Sequence, residues 1–138
     1  MKKHGRVWAE IDLDAIEFNY QEMKKKLGGG QKMIAVVKTD GYGHGAVPIA
    51  RFLEPLDDIW GFAVAAVEEA QELRRHGITK PILILGYTFR EDYRWLAREE
   101  IRPAVFKYDM AAQMSEAALA EGKKFFIHMA VDTGMARI

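Results

Sequence analysis

Between Asp12 and Leu27 the apolar positions Leu13, Ile16, Tyr20, Met23 and Leu27 recur at three- and four-residue steps, which gathers them on one helical face. Gly28, Gly29 and Gly30 then stop that helix. The pattern changes over 33–38, where MIAVVK is a continuous apolar run with β-branched residues, too short for an ordinary helix; it predicts a buried strand closed by Lys38. The alternation continues with a helix over 46–54, a strand over 61–64 and a helix over 67–76 stopped by Gly77. A strand over 82–85, a helix over 90–99, a strand over 103–106, a helix over 109–121 and a final strand over 125–131 complete the series. Residues 7–11 alternate in character and are expected as an extra strand outside this array.

The expected strands start at Met33, Gly61, Ile82, Pro103 and Phe125, 21 to 28 residues apart, so each unit holds one strand, one helix and two short loops. Strands apolar on both faces and joined by right-handed helical crossovers make an α/β fold with a parallel sheet. Two architectures satisfy this. An open doubly wound sheet is complete with about five strands, whereas a (β/α)8 barrel of the TIM type needs eight strands and about 250 residues. On length alone the open sheet fits better. No linker, low-complexity tract or internal boundary interrupts the chain.

Composition narrows the function classes. At 49% apolar and 29% charged residues the chain has the balance of a globular domain. Its 20 Lys and Arg cancel its 20 Asp and Glu, so neither nucleic acid nor a membrane surface is expected as a partner. The absence of cysteine excludes disulfides, thiolate chemistry and thiolate metal sites. The opening MKKHGRVWAEIDL meets Glu10 and Asp12 before any apolar run of signal-peptide length, and a cytoplasmic location is expected.

Chemistry concentrates in 36–45, VVKTDGYGHG, where an apolar strand ends in a lysine followed by an acid and three spaced glycines. In a parallel βα sheet the carboxyl ends of the strands carry the catalytic groups, because loops there vary without disturbing the core. Partial burial at a strand end disfavours the charged ammonium, and a neutral amine is a nucleophile able to form a Schiff base. A solvated end-cap is the plain alternative for Lys38, and an aromatic packed on the glycine loop the plain alternative for Tyr42. His44 and His128 lack the ligand spacing of a metal site and are read as packing residues; no metal is expected. Glu68, Glu69, Glu72, Arg74 and Arg75 read as a charged helix face with acids early and bases late, as the helix dipole prefers, and carry no assigned chemistry. The glycines are not a nucleotide fingerprint, since the G-x-G-x-x-G spacing fails at its third glycine.

VVKTDGYGHG closely resembles the pyridoxal-phosphate lysine segment of the alanine racemase family. WAEIDLDAIEFN at 8–19 resembles that family's opening, PILILGY at 81–87 its third barrel strand and VDTGMARI at 131–138 its arginine-bearing segment, all in the family's order. The resemblance implies that the array is the N-terminal part of a (β/α)8 barrel, against the preference from length, with a β-rich C-terminal domain beyond Ile138. It implies the interconversion of L- and D-alanine with pyridoxal 5'-phosphate as cofactor, in a homodimer. Lys38 would form the internal aldimine and act as one of two bases on opposite faces of the substrate. Tyr42 would lie near the cofactor phosphate. Arg137 would contact the cofactor's phenolic oxygen and place the substrate carboxylate, tasks that suit a permanently charged guanidinium with parallel donors. Asp132 is read as orienting the loop around Thr133 and Gly134.

The sequence departs from the family at Ala130, where many members carry a lysine modified to a carbamate that positions the arginine. A bound anion or another side chain would then orient Arg137. The opposing base, in the family a tyrosine of a partner subunit's C-terminal domain, lies beyond these residues. Two other readings stand beside the racemase: a non-catalytic pyridoxal-phosphate-binding barrel protein, and an unrelated five-stranded α/β binding domain in which Lys38 is incidental. A serine or broader racemase differs from an alanine racemase only in pocket walls that these residues mostly lack.

Overall fold

The Asp12 carboxylate accepts from the backbone N–H groups of Asp14 (2.8 Å) and Ala15 (3.2 Å), and the first helix begins there. The computed structural model describes residues 7–136 and divides at residue 31 into two compact units. The first holds α1 (Leu13–Leu27), with Lys24, Lys25 and Lys26 in its last turn, where cations oppose the negative helix end. Residues 7–11, expected as an extra strand, form none.

The second unit is the βα array. In order it contains β1 (Met33–Val36), α2 (Lys38–Tyr42), α3 (Ala46–Leu53), β2 (Ile59–Val64), α4 (Val67–Arg75), β3 (Ile82–Ile84), a 3-10 turn (Arg90–Asp92), α5 (Tyr93–Arg98), β4 (Arg102–Val105), α6 (Tyr108–Ala120) and β5 (His128–Met129). All neighbouring strands are parallel, and their spatial order β1-β2-β3-β4-β5 is the order of the chain. A doubly wound sheet reverses direction at a switch point, and this one never does. Length therefore misled and the resemblance did not: sequential parallel order with a helical crossover between successive strands is how a barrel wall is laid down.

β1 and β5 depart most from expectation. β1 stops at Val36, although the Val37 N–H still donates to the Ala63 carbonyl (2.9 Å), so Lys38 opens the next turn instead of closing the strand. Ile34 and Val36, expected to be buried, remain 39% and 43% exposed, because they share one face of β1 that is left uncovered while Met33 and Ala35 on the other face are less exposed. β5 is reduced from seven expected residues to two, being held only by pairing with Ala104 and Val105.

The core lies between sheet and helices and is built from Phe62, Val64, Ile82 and Ile84 of the strands against Leu73, Leu96 and Ile101, all almost fully buried. At the strand entrances, long charged side chains close the loops. Lys80 Nζ donates to the carbonyls of Leu56 (2.6 Å) and Ile59 (2.5 Å), and the Arg74 guanidinium to those of Ile78 (2.7 Å), Lys80 (2.9 Å) and Glu99. Glu54 accepts from the Thr79 (2.8 Å) and Lys80 (3.0 Å) N–H groups. The amino ends of the strands are thus committed to stability, which leaves the carboxyl ends for chemistry. Among the described residues no helix is long and apolar enough to cross a membrane.

Candidate active site

Lys38 stands at the carboxyl end of β1, and the segment after it is left-handed. Thr39 (φ 55°, ψ 48°), Asp40 (φ 51°, ψ 49°), Gly41 (φ 62°, ψ 37°) and Tyr42 (φ 56°) follow one another in the αL region. Such a run is rare because each non-glycine residue there brings Cβ against the next carbonyl, at a cost of roughly 1–2 kcal/mol. The β-branched Thr39 is the least suited of all. The turn is fastened by bonds from Gly41 N–H to Val37 O (2.8 Å), Gly43 N–H to Thr39 O (3.1 Å) and Gly45 N–H to Asp40 O (2.8 Å). The Asp40 carboxylate accepts from Ala46 N–H (2.8 Å) and so starts α3. Backbone held in costly conformations by this many contacts is characteristic of functional sites.

The consequence is a pairing of side chains. Lys38 and Tyr42 are four positions apart, about one turn, and Lys38 Nζ lies 5.8 Å from the centre of the Tyr42 ring, within cation–π range. Tyr42 is 59% exposed, and among the described residues neither the ammonium nor the phenol hydroxyl has a hydrogen-bond or ion-pair partner. A primary amine and a phenol, presented together at a strand's carboxyl end with their polar atoms uncommitted, are a donor set that fits a phosphate-bearing aldehyde. His44 is exposed, and its Nδ1 lies 3.1 Å from the Gly41 carbonyl and 3.2 Å from that of Tyr42, a local hydrogen-bonding position within the turn.

The sequence reasoning missed Glu69. It belongs by sequence to the charged face of α4, yet its carboxylate accepts from the N–H of Thr39 (2.5 Å) with one oxygen and from those of Ala65 (2.7 Å) and Ala66 (3.3 Å) with the other. A signal was available, since Glu69 is the third residue of α4, where a glutamate reaches back to the cap backbone. The contact with Thr39, 30 positions away, had none.

The DTGM segment forms the turn expected of Asp132, whose carboxylate accepts from Gly134 N–H (2.8 Å) and Ala136 N–H (3.1 Å). The Ala136 and Gly134 bonds hold its acid below the usual carboxylate range. Ala130 donates to the Val105 carbonyl (2.8 Å). Arg137 lies outside the described residues. His128 packs beside Trp60, ring centres 5.9 Å apart. The Arg102 guanidinium sits between the rings of Trp60 (4.8 Å) and Phe126 (4.7 Å). Among the described residues no cluster of three or more His, Asp or Glu could hold a metal. A cleft of about 520 Å³ between the outer helices, lined by Arg90, Arg94, Gln113 and Glu116, shares no residue with the Lys38 turn.

A parallel wall wound in chain order, with a lysine at its first strand's carboxyl end, has the pattern of the N-terminal strands of a βα-barrel. Residues 11–138 match the model of the alanine racemase N-terminal domain, and the chain belongs to that family. It is 44% identical over 133 residues to an alanine racemase of Desulforamulus reducens, covering 96% of this chain and 35% of that protein. With an alanine racemase of Clostridium perfringens it shares 48% over 132 residues, 96% of this chain and 34% of that protein. Among solved structures, alanine racemase of Clostridium difficile 630 in complex with cycloserine superposes with a TM-score of 0.95 at 40% identity, over 99% of this chain and 37% of that one. A histidine racemase of Leuconostoc mesenteroides superposes with a TM-score of 0.81 at 26% identity, over 91% and 33%. The chain thus spans about a third of the length of these relatives.

Proposed function

We propose that this chain is the N-terminal part of a pyridoxal-phosphate-dependent alanine racemase. One observation carries the reading: a left-handed turn sets the uncommitted Lys38 amine and Tyr42 phenol side by side at the carboxyl end of β1. When bound, pyridoxal 5'-phosphate supplies an electron sink for the charge left on a substrate α-carbon after proton loss. Lys38 is the covalent anchor for that group and, once free of it, the base that moves a proton on one face of the α-carbon. Tyr42 directs its hydroxyl to the phosphate. Arg137 orients the cofactor's phenolic oxygen and the substrate carboxylate, with a bound anion or another side chain doing what a modified lysine would do at Ala130. The second base is a tyrosine from a partner subunit's β-rich C-terminal domain, so the complete enzyme is a homodimer, working in the cytoplasm to supply D-alanine for peptidoglycan precursors.

The relatives' names support alanine as substrate. The histidine racemase neighbour favours one second reading, a racemase of different or wider substrate range, because the same wall serves a much larger side chain there.

The test uses a full-length protein carrying this segment. Added pyridoxal phosphate is expected to give a visible absorbance that Lys38→Ala abolishes, with racemisation of L-alanine lost in the same variant. An absorbance that survives Lys38→Ala, or no racemisation of any amino acid by the unsubstituted protein, overturns the reading.

A further inference from the structure

Glu69 makes contacts that its place in α4 does not require. A helix-opening glutamate satisfies the N–H groups at its own cap, as Glu69 does with Ala65 and Ala66. Its other oxygen leaves that task and accepts from Thr39, the residue that follows Lys38 and the first to enter the left-handed region. That N–H has no partner within the turn, whose internal bonds run from Gly41, Gly43, His44 and Gly45. A single carboxylate therefore ties the entry of the strained turn to the carboxyl end of β2 and the start of α4.

We propose that Glu69 is a positioning residue for Lys38: its carboxylate, accepting from Thr39, Ala65 and Ala66, holds the αL turn that presents the Lys38 amine and the Tyr42 phenol on one side. This rests on the reading of Lys38 as the cofactor-bearing amine. The chemistry requires a carboxylate rather than any side chain of that size. Two oxygens with no hydrogens serve three donors at once, whereas the amide of glutamine has one accepting oxygen and would aim its NH2 at either Thr39 or the Ala65–Ala66 pair. Glu72, on the same helix and half-exposed, pairs instead with Arg75 (2.6 Å) and supplies a control that leaves the turn untouched.

The experiment compares unsubstituted full-length protein with Glu69→Gln, Glu69→Ala and Glu72→Gln. The measurements are pyridoxal phosphate affinity by absorbance titration, the split between kcat and KM for L-alanine, and the urea unfolding midpoint. Loss of a hydrogen bond to a charged acceptor predicts that Glu69→Gln weakens pyridoxal phosphate binding by on the order of tenfold or more. Its kcat falls by a comparable factor with KM little changed, while Glu72→Gln matches the parent. Wild-type affinity and kcat in Glu69→Gln overturn the inference, even if its midpoint falls, since that is the signature of a merely structural glutamate. Should the Glu69 variants not fold, hydrogen exchange in the unsubstituted protein decides the matter. Thr39 is exposed, so protection of its amide depends on Glu69, and an amide exchanging at the unprotected rate overturns the proposal. Absence of any Lys38-dependent absorbance in the unsubstituted protein would instead strike the functional reading itself.

Discussion

Gly41 and Gly43 are both left-handed, at φ 62° and φ 84°, yet alanine should be tolerated very differently at the two. At Gly43 an added Cβ meets no atom within 4 Å, so Gly43→Ala pays only for the backbone conformation. That cost is roughly 1–2 kcal/mol, partly offset by the reduced freedom of alanine in the unfolded chain, which leaves about 1 kcal/mol. At Gly41 the same atom would stand 3.2 Å from the Ala46 backbone nitrogen, 3.2 Å from Ile49 Cδ1 and 3.4 Å from Ala46 Cα. Relieving those contacts displaces the junction between the turn and α3, where Asp40 caps Ala46, and overpacking of this kind adds roughly 1–3 kcal/mol. Gly41→Ala is therefore expected to cost about 2–4 kcal/mol and Gly43→Ala about 1 kcal/mol. Urea unfolding reads the difference as a shift in midpoint at constant slope. Pyridoxal phosphate titration should rank the variants in the same order, since moving the turn moves Lys38 relative to Tyr42. Equal losses at the two positions, or a larger loss at Gly43, would refute the claim that contact with α3 sets this geometry.

Two further outcomes are expected. Burial, and then the charge of Arg102, hold the His128 imidazole below its ordinary value of 6.5. The folded chain then binds fewer protons than the unfolded one around and below that pH, so stability should fall as pH drops through 6.5 toward the folded value. His128→Gln should flatten that dependence, and an NMR titration placing His128 at or above 6.5 would contradict the assignment. Taken alone, the 138-residue chain should show no racemase turnover and should associate with itself as concentration rises, because among the described residues β1 and β5 each have a single sheet neighbour. Sedimentation and a turnover assay check this, and an active monomer would refute it.

Much of this protein was legible in its amino-acid order, and the limits of that legibility are local. Helices α1, α4 and α6 begin and end within a residue or two of where periodicity and glycine stops put them, because amphipathic spacing and capping are properties of consecutive residues. Lys38, the glycine-spaced segment after it and the Asp132 turn were recognisable for the same reason. Strand lengths were less so: the segment around β5 has a strand-like pattern, but a strand exists only where a neighbour completes its hydrogen bonds.

The tertiary structure decided what depends on residues far apart in sequence. Whether five βα units wind one way or reverse is a matter of which strands pair, and the pairing order made this a barrel wall where length favoured an open sheet. The hand of the turn after Lys38 could not be read from Thr39-Asp40-Gly41-Tyr42, three of whose residues disfavour it. Asp40 reaching Ala46, Glu69 reaching Thr39 and the packing of Gly41 against α3 over-determine that conformation. Sequence alone named the lysine, and only the fold, by balancing local strain against long-range hydrogen bonds, set where its amine points.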